Sequence, residues 1–159
     1  MSQRVVVLGA GFGGLELTTV MSEALGANAD ITLIDKSDAF VFGYSKFDIM
    51  FGKRTPEAAR LPYAKFAKPG VRLLRETITA IDPVRKVVTT NAGVHEADTL
   101  VLALGADYDW AAVPGITAGV NEFYSVPGAE AMRDILPGFR KGHAVIGVCD
   151  APFKCPPAP

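Results

Sequence analysis

An apolar run near the start of the chain leads directly into three glycines with the spacing G-x-G-x-x-G. The run covers residues 5–8, and the glycines are Gly9, Gly11 and Gly14. Gly9 permits a tight turn from strand to helix, Gly11 leaves the backbone open to a pyrophosphate, and Gly14 lets the helix pack close to the sheet. The N-terminus of the following helix would offer unpaired N–H groups and partial positive charge to the phosphates. The motif therefore predicts a dinucleotide-binding βαβ unit.

A helical segment and a second strand complete this unit. Apolar residues recur at helical spacing over residues 15–25, and Gly26 is placed to end the helix. Residues 31–34 predict a second buried strand that ends at Asp35. A carboxylate there can accept hydrogen bonds from a ribose and repels a 2′-phosphate, although the adjacent Lys36 weakens the second argument. The alternative is a glycine-rich turn in an ordinary α/β protein with a solvated strand end, but the complete unit favours a dinucleotide.

Length, composition and charge exclude several classes of protein. The chain has 159 residues, of which 49% are hydrophobic and 21% are charged, as in ordinary globular proteins. A formal net charge of −1 gives no electrostatic footprint for nucleic acid or an anionic membrane. No membrane-spanning stretch, signal peptide or cluster of metal ligands is recognised. Two cysteines are too few for a disulfide framework, so a reducing, cytoplasmic location is expected.

The middle of the chain predicts more strands of the same sheet, interrupted by an antiparallel insertion. Residues 71–74 predict a third core strand. Asp-Pro and Asn-Ala-Gly turns then separate three β-rich segments, which are residues 77–81, 85–90 and 94–97. Residues 100–105 predict a buried parallel strand. It ends in small residues, Ala103 and Gly105, which would let the backbone approach a cofactor.

The last third of the chain predicts the beginning of a second domain. A Pro-Gly pair followed by glycine and alanine over residues 114–119 indicates a linker, and residues 129–136 predict a short helix. Residues 143–148 predict another buried strand. Residues 1–112 are therefore expected to form the dinucleotide-binding domain. Residues 113–159 are expected to be a linker and the first strand of a second, incomplete α/β domain.

The tail after that strand differs from a phosphate-binding turn. Residues 147–159 read GVCDAPFKCPPAP, and the prolines lack the N–H groups that would cradle a pyrophosphate. Cys155 is either a small apolar residue in a proline-rigid loop or a redox thiol in fixed geometry. The neighbouring Lys154 favours the thiolate and thus the second interpretation. Cys149, near the buried strand, is interpreted as inert, and a Cys149–Cys155 disulfide stays open as an alternative.

The glycine motif, the strand ending at Asp35 and the strand over residues 100–105 resemble the two-dinucleotide-binding-domain flavoproteins. The tail over residues 145–159, with its Cys-Pro-Pro-Ala-Pro segment, is more specific. It resembles the branch of sulfide:quinone oxidoreductase and flavocytochrome c sulfide dehydrogenase. The resemblance runs along the whole chain and implies a Rossmann-like α/β FAD-binding domain with a parallel sheet and an inserted β-meander. Members of this branch are more than twice as long, so the chain is expected to be the N-terminal part of a longer protein.

The resemblance also implies a cofactor site and a reaction. FAD would lie along the glycine turn, Asp35 would hold its adenosine ribose, and Cys155 would be one of two redox cysteines beside the flavin. A sulfur donor such as sulfide would supply two electrons, and a quinone or cytochrome would receive them. The implied FAD contacts are Gly9, Gly11, Phe12, Gly13, Gly14, Asp35, Lys36, Ile78, Ala103 and Gly105.

Departures from the family pattern qualify these expectations. Gly43 stands where the flavocytochrome branch attaches its flavin to a cysteine, so non-covalent FAD is expected, and Leu104 replaces a usual threonine. The second cysteine, the quinone site and any peripheral contact with the inner membrane face would belong to an absent C-terminal half. The chain alone is thus expected to be inactive and to self-associate. Two alternatives are an FAD-dependent oxidoreductase with an unrelated donor such as NADH, and a non-catalytic nucleotide-binding module.

Overall fold

A computed structural model describes residues 3–148 of the chain. Two compact units are present, one within residues 3–41 and 60–106 and the other within residues 42–59 and 107–148. We call them the first unit and the second unit. The domain boundary expected between residues 112 and 113 stays a prediction. No helix within residues 3–148 is long and apolar enough to cross a membrane.

The first unit carries one long helix and all nine strands of the described chain. Its elements, in chain order, are β1 (Arg4–Leu8), α1 (Phe12–Leu25), β2 (Asp30–Asp35), β3 (Ala39–Val41), β4 (Arg60–Pro62), β5 (Val71–Arg75), β6 (Ile78–Asp82), β7 (Val87–Thr90), β8 (Val94–Glu96) and β9 (Thr99–Leu102). The elements β3 and β4 form a small antiparallel pair. The unit therefore has the predicted order of strand, helix, strand, meander and strand.

A parallel sheet with the order β5-β2-β1-β9 is the centre of the first unit. Successive side chains of β1 point to opposite faces of the sheet. Val5 and Val7 join the apolar cluster on one face, whereas Val6 and Leu8 join the cluster on the other. Both faces are covered, which explains why β1 reads as a continuous apolar run.

The helix α1 covers one face of this sheet. Leu15 and Met21 pack against the cluster that contains Val7. The helix ends at Leu25, and Gly26 follows as its C-cap, as the sequence predicted, with a φ of 58° that glycine tolerates. Ser22 is nearly buried and anchors the helix, because its hydroxyl donates to the carbonyl of Pro69 at 2.7 Å.

The predicted meander is confirmed and covers the opposite face. The strands β6, β7 and β8 form an antiparallel sheet in that order. Ile78, Ile81 and Val88 pack against the cluster that contains Val6 and Leu8. The meander thus completes the core and places the start of β6 beside the sheet.

The second unit contains two helices, α2 (Ser45–Met50) and α3 (Val126–Ile135). They meet around the buried side chains of Ile49, Met50 and Ala129. The helix α3 begins three residues before the predicted residue 129. Ser125 is its N-cap and accepts a hydrogen bond from the Gly128 N–H at 2.9 Å.

Residues 143–148 do not form the strand that their composition predicted. They have no regular secondary structure, and the side chains of Val145 and Ile146 are 93% and 82% exposed. A strand needs a hydrogen-bonded neighbour, and among the described residues no strand pairs with this segment. The described chain therefore shows the predicted parallel sheet and meander without a first strand of a second α/β domain.

Two glycines of the motif lie where the backbone leaves no space for a side chain. Gly9 has a φ of +98°, and a Cβ built on it would overlap the carbonyl oxygen of Ala103 and lie 2.8 Å from the carbonyl carbon. A Cβ on Gly14 would overlap the carbonyl oxygen of Gly9 and lie 3.4 Å from Leu33 Cδ1. At these two glycines the backbone after β1 packs closely against the start of α1 and the end of β9.

We expect Gly14→Ala and Gly13→Ala to have opposite effects on the free energy of unfolding. The new methyl group at residue 14 would force backbone apart, which should cost about 3 kcal/mol or more. The new methyl group at residue 13 would meet the Ala103 Cβ at an ordinary 3.9 Å. It should gain up to about 1 kcal/mol from helix propensity. Urea unfolding of both variants measures this difference, and equal midpoints would show that the packing argument is mistaken.

Candidate functional site

Side chains from outside the glycine turn hold its backbone in place. The N–H of Gly9 donates to the carbonyl of Ile34 at 2.8 Å. The N–H of Ala10 donates to Asp35 Oδ2 at 2.7 Å, and the carbonyl of Ala10 accepts from the Tyr63 hydroxyl at 2.7 Å. Ala10 is fully buried. The turn is therefore fixed from the protein side at consecutive peptide groups.

The other side of the turn is open. The first backbone bond of α1 runs from the N–H of Leu15 to the carbonyl of Gly11 at 3.0 Å. The N–H groups of Gly13 and Gly14 precede it, so they have no acceptor within the helix. A Cβ on Gly11 would meet no atom of residues 3–148 within 4 Å. A ledge of N–H groups thus lies at the positive end of the helix dipole, with space above Gly11.

A cleft of about 640 Å³ lies at the carboxyl ends of β1 and β2 and along the start of β6. Ligands of open parallel sheets bind at this end, where the chain continues to opposite sides of a strand. Here β1 has β2 on one side and β9 on the other. The residues that line the cleft are Gly9, Ile34, Asp35, Lys36, Ser37, Glu76, Thr77, Ile78, Thr79, Ala80, Ile81 and Leu104.

The carboxylate of Asp35 has a structural role as well as a position in this cleft. Its Oδ2 accepts from Ala10, and its Oδ1 accepts from the Ser37 N–H at 2.7 Å. Burial, with smaller contributions from Asp35 and Asp38, raises the pKa of Tyr63 to about 12. The Tyr63 hydroxyl is therefore protonated at neutral pH and serves as a donor.

A second polar group stands at the cleft wall. The Glu76 carboxylate accepts from the Thr90 hydroxyl at 2.6 Å and lies 2.8 Å from His95 Nε2. The Thr90 bond and then the His95 bond hold the pKa of Glu76 below its ordinary value, against the effect of burial. This contact ties the end of β5 to the meander, and it shows that His95 is a structural partner of Glu76.

The structure brings most of the sequence-predicted residues to one end of the sheet. Gly9, Asp35, Lys36 and Ile78 line the cleft. The predicted residues at the start of α1 are Gly11, Phe12, Gly13 and Gly14. Ala103 lies against Gly9, while Gly105 is exposed beyond the end of β9 with a φ of +74°. Cys155 lies outside the described residues.

Sequence reasoning missed Tyr63 and Glu76. Tyr63 is 53 residues from Ala10, and Glu76 is 19 residues from His95. Neither stands in a motif, so only their place in the fold reveals them. Leu104 was noted as a departure from the family pattern, and the structure places it on the cleft wall.

The sequence of this chain is similar to those of known proteins. Residues 3–147 match the family described as pyridine nucleotide-disulphide oxidoreductase. The mitochondrial sulfide:quinone oxidoreductase of Mus musculus is 24% identical over 161 residues, which cover 98% of this chain and 36% of that protein. The type II NADH:quinone oxidoreductase of Staphylococcus haemolyticus is 33% identical over 116 residues, which cover 72% of this chain and 29% of that protein.

A solved structure agrees with these similarities. The X-ray structure of the sulfide:quinone oxidoreductase from Aquifex aeolicus matches with a TM-score of 0.74 and 27% identity, over 86% of this chain and 32% of that chain. The chain therefore spans about a third of the length of the relatives that it matches. The resemblance inferred from the glycine motif and the tail is confirmed. Because the family match covers most of the chain and the fold agrees with it, the chain belongs to the pyridine nucleotide-disulphide oxidoreductase family.

Proposed function

We propose that the chain supplies the FAD-binding part of an oxidoreductase that oxidises sulfide or a related sulfur species. A quinone or cytochrome would receive the electrons. The observation that carries this proposal is the glycine turn, which is packed tightly at Gly9 and Gly14 and open at Gly11. The free space at Gly11 adjoins the start of α1, where the N–H groups of a helix attract anions.

The residues present fit the phosphate and ribose groups of FAD. The N–H groups of Gly13 and Gly14 suit a pyrophosphate, and Gly11 leaves room for it. Each oxygen of Asp35 accepts one backbone N–H, and each retains a lone pair for a ribose hydroxyl. Gly43 offers no side chain for attachment, so we propose that FAD is held without a covalent bond.

The donor is the finer part of the proposal. When bound, FAD takes two electrons from a donor and delivers them to an acceptor. Oxidation of sulfide to zero-valent sulfur releases two electrons, and a quinone that takes up two electrons and two protons balances them. Similarity to the Mus musculus sulfide:quinone oxidoreductase extends over 98% of the chain, whereas that to the NADH:quinone oxidoreductase covers 72%. This difference in coverage favours sulfide as the donor. A quinone acceptor implies that the whole enzyme acts at a membrane surface.

The second candidate donor is NADH. The higher identity of 33% to the Staphylococcus haemolyticus type II NADH:quinone oxidoreductase favours it. The two candidates differ in the residues after 148, where the sulfide proposal assigns the redox thiol to Cys155. We infer that role from the proline-rich sequence around Cys155 and from the neighbouring Lys154.

We expect Gly11→Val to weaken FAD binding by about 100-fold, which corresponds to about 2.7 kcal/mol. The valine would fill the space through which the pyrophosphate approaches. Gly93→Val is the matched control, because a Cβ on Gly93 also meets no atom of the described part of the chain within 4 Å, but Gly93 lies in the β7–β8 turn. Fluorescence titration with FAD measures both dissociation constants. Equal affinity of Gly11→Val and Gly93→Val would contradict the placement of the pyrophosphate.

We expect the chain alone to bind FAD with a dissociation constant of about 1 μM or weaker and to self-associate. Within residues 3–148 no strand pairs with the outer edge of β9, and Leu102 and Leu104 are exposed there. Such an edge leaves the site with one wall incomplete and offers a surface for a second copy. Calorimetry and analytical ultracentrifugation test both points. Tight stoichiometric binding by a clean monomer would refute them.

In the full-length protein, we expect Cys155→Ser to abolish reduction of the flavin by sulfide while the FAD content stays normal. Cys149→Ser is the matched control and should reduce at the wild-type rate. Stopped-flow absorbance of the flavin, with sulfide and then with NADH as donor, measures the rates. Reversed behaviour of the two variants would reassign the thiol. Reduction of the wild type by NADH and not by sulfide would instead establish the second candidate.

A further inference from the structure

Two side chains from distant parts of the first unit hold consecutive peptide groups of the glycine turn. Asp35 accepts from the N–H of Ala10, which belongs to the Gly9–Ala10 peptide. Tyr63 donates to the carbonyl of Ala10, which belongs to the Ala10–Gly11 peptide. Both bonds are 2.7 Å long. Neither bond belongs to a strand ladder or a helix, so both act on the turn itself.

Because a peptide group is planar, a hydrogen bond to one of its polar groups also fixes the direction of the other. In a trans peptide the N–H and the C=O point in opposite directions. Asp35 holds the N–H of Ala10, so the carbonyl of Gly9 points the other way, onto the bare Cα of Gly14. Tyr63 holds the carbonyl of Ala10 on the buried side, so the N–H of Gly11 points away from Tyr63. Gly11 is the residue at which the turn is open to a ligand.

Tyr63 is itself held firmly enough to set this direction. Its side chain is buried, and the residue is only 8% exposed. Its own N–H donates to the carbonyl of Asp38 at 2.9 Å, in a short 3₁₀ turn over Tyr63–Lys65. Its raised pKa keeps the hydroxyl protonated, so the carbonyl of Ala10 always faces a donor.

We propose that Tyr63 is a positioning residue for the dinucleotide, whose hydroxyl orients the Ala10–Gly11 peptide so that the Gly11 N–H donates to the pyrophosphate. The inference rests on the proposed function, because it requires a pyrophosphate at the turn. It adds a residue that touches no ligand and acts through the backbone of Ala10. The competing explanation is that Tyr63 only fills the core beside Ala10.

The two explanations predict different effects of a Tyr63 substitution on the affinities of different ligands. A tyrosine that only stabilises the fold affects every ligand of the cleft equally. A tyrosine that orients the Gly11 N–H affects ligands that carry the pyrophosphate and spares those that lack it. ADP and adenosine are suitable probes, because both carry the adenosine group and only ADP carries the pyrophosphate.

We expect Tyr63→Phe to lower the ratio of ADP affinity to adenosine affinity by about tenfold. Ser22→Ala is the matched control. It also removes a hydroxyl that donates to a distant carbonyl at 2.7 Å, and Ser22 is only 3% exposed. Its bond to Pro69 lies away from the turn, so its ratio should equal that of the wild type. NMR titration gives the dissociation constants, and thermal unfolding shows that both variants are folded.

Each outcome bears on a different statement. An unchanged ratio in folded Tyr63→Phe, with the wild type binding ADP more tightly than adenosine, overturns the role of Tyr63. A full-length wild type that binds neither ADP nor FAD overturns the proposed function itself. If Tyr63→Phe does not fold, the NMR resonance of the Gly11 amide in the wild type tests the proposal instead. We expect ADP to shift it strongly and adenosine to leave it in place, and a Gly11 amide insensitive to bound ADP overturns the proposal.

Discussion

The close approach of Gly9 to β9 is the constraint on which the rest of the first unit depends. The carbonyl group of Ala103 occupies the space that a side chain at residue 9 would need. The strand β1 can therefore pass directly into the turn while β9 runs beside it. The same turn brings the carbonyl of Gly9 onto Gly14, which sets the distance between α1 and the sheet. The cleft, the start of α1 and the carboxyl end of the sheet meet at one place, because the backbones at Gly9, Gly14 and Ala103 lie in close contact.

The candidate site divides its interactions between an inner and an outer side. On the inner side, Asp35 and Tyr63 satisfy the backbone groups of buried Ala10, which would otherwise cost free energy. On the outer side, the N–H groups of Gly13 and Gly14 precede the first helical bond. A rigid inner side makes the outer groups ready for a ligand, since little ordering remains to be done on binding.

Sequence predicted the parts of the fold that local patterns specify. The order β1, turn, α1, β2 follows from glycine spacing and apolar periodicity, and the meander follows from its turn residues. The prediction of a strand over residues 143–148 was wrong because a strand is stable only beside a second, hydrogen-bonded strand. Apolar composition carries no information about whether that second strand is present. Tyr63 and Glu76 escaped for a related reason. Their partners, Ala10 and His95, are brought near by the tertiary fold.

The pairing of β1 with β9 has a consequence for the order in which the protein folds. Arg4 bonds to Asp98 across 94 positions of the chain, and the carbonyl that closes on Gly9 belongs to a residue still later in the sequence. Contacts of such separation form slowly, because a long loop must close before they are made. On the ribosome, β1, α1 and β2 emerge well before β9 does. The turn at Gly9 is therefore fully packed only after β9, the last strand of the described sheet, has been synthesised.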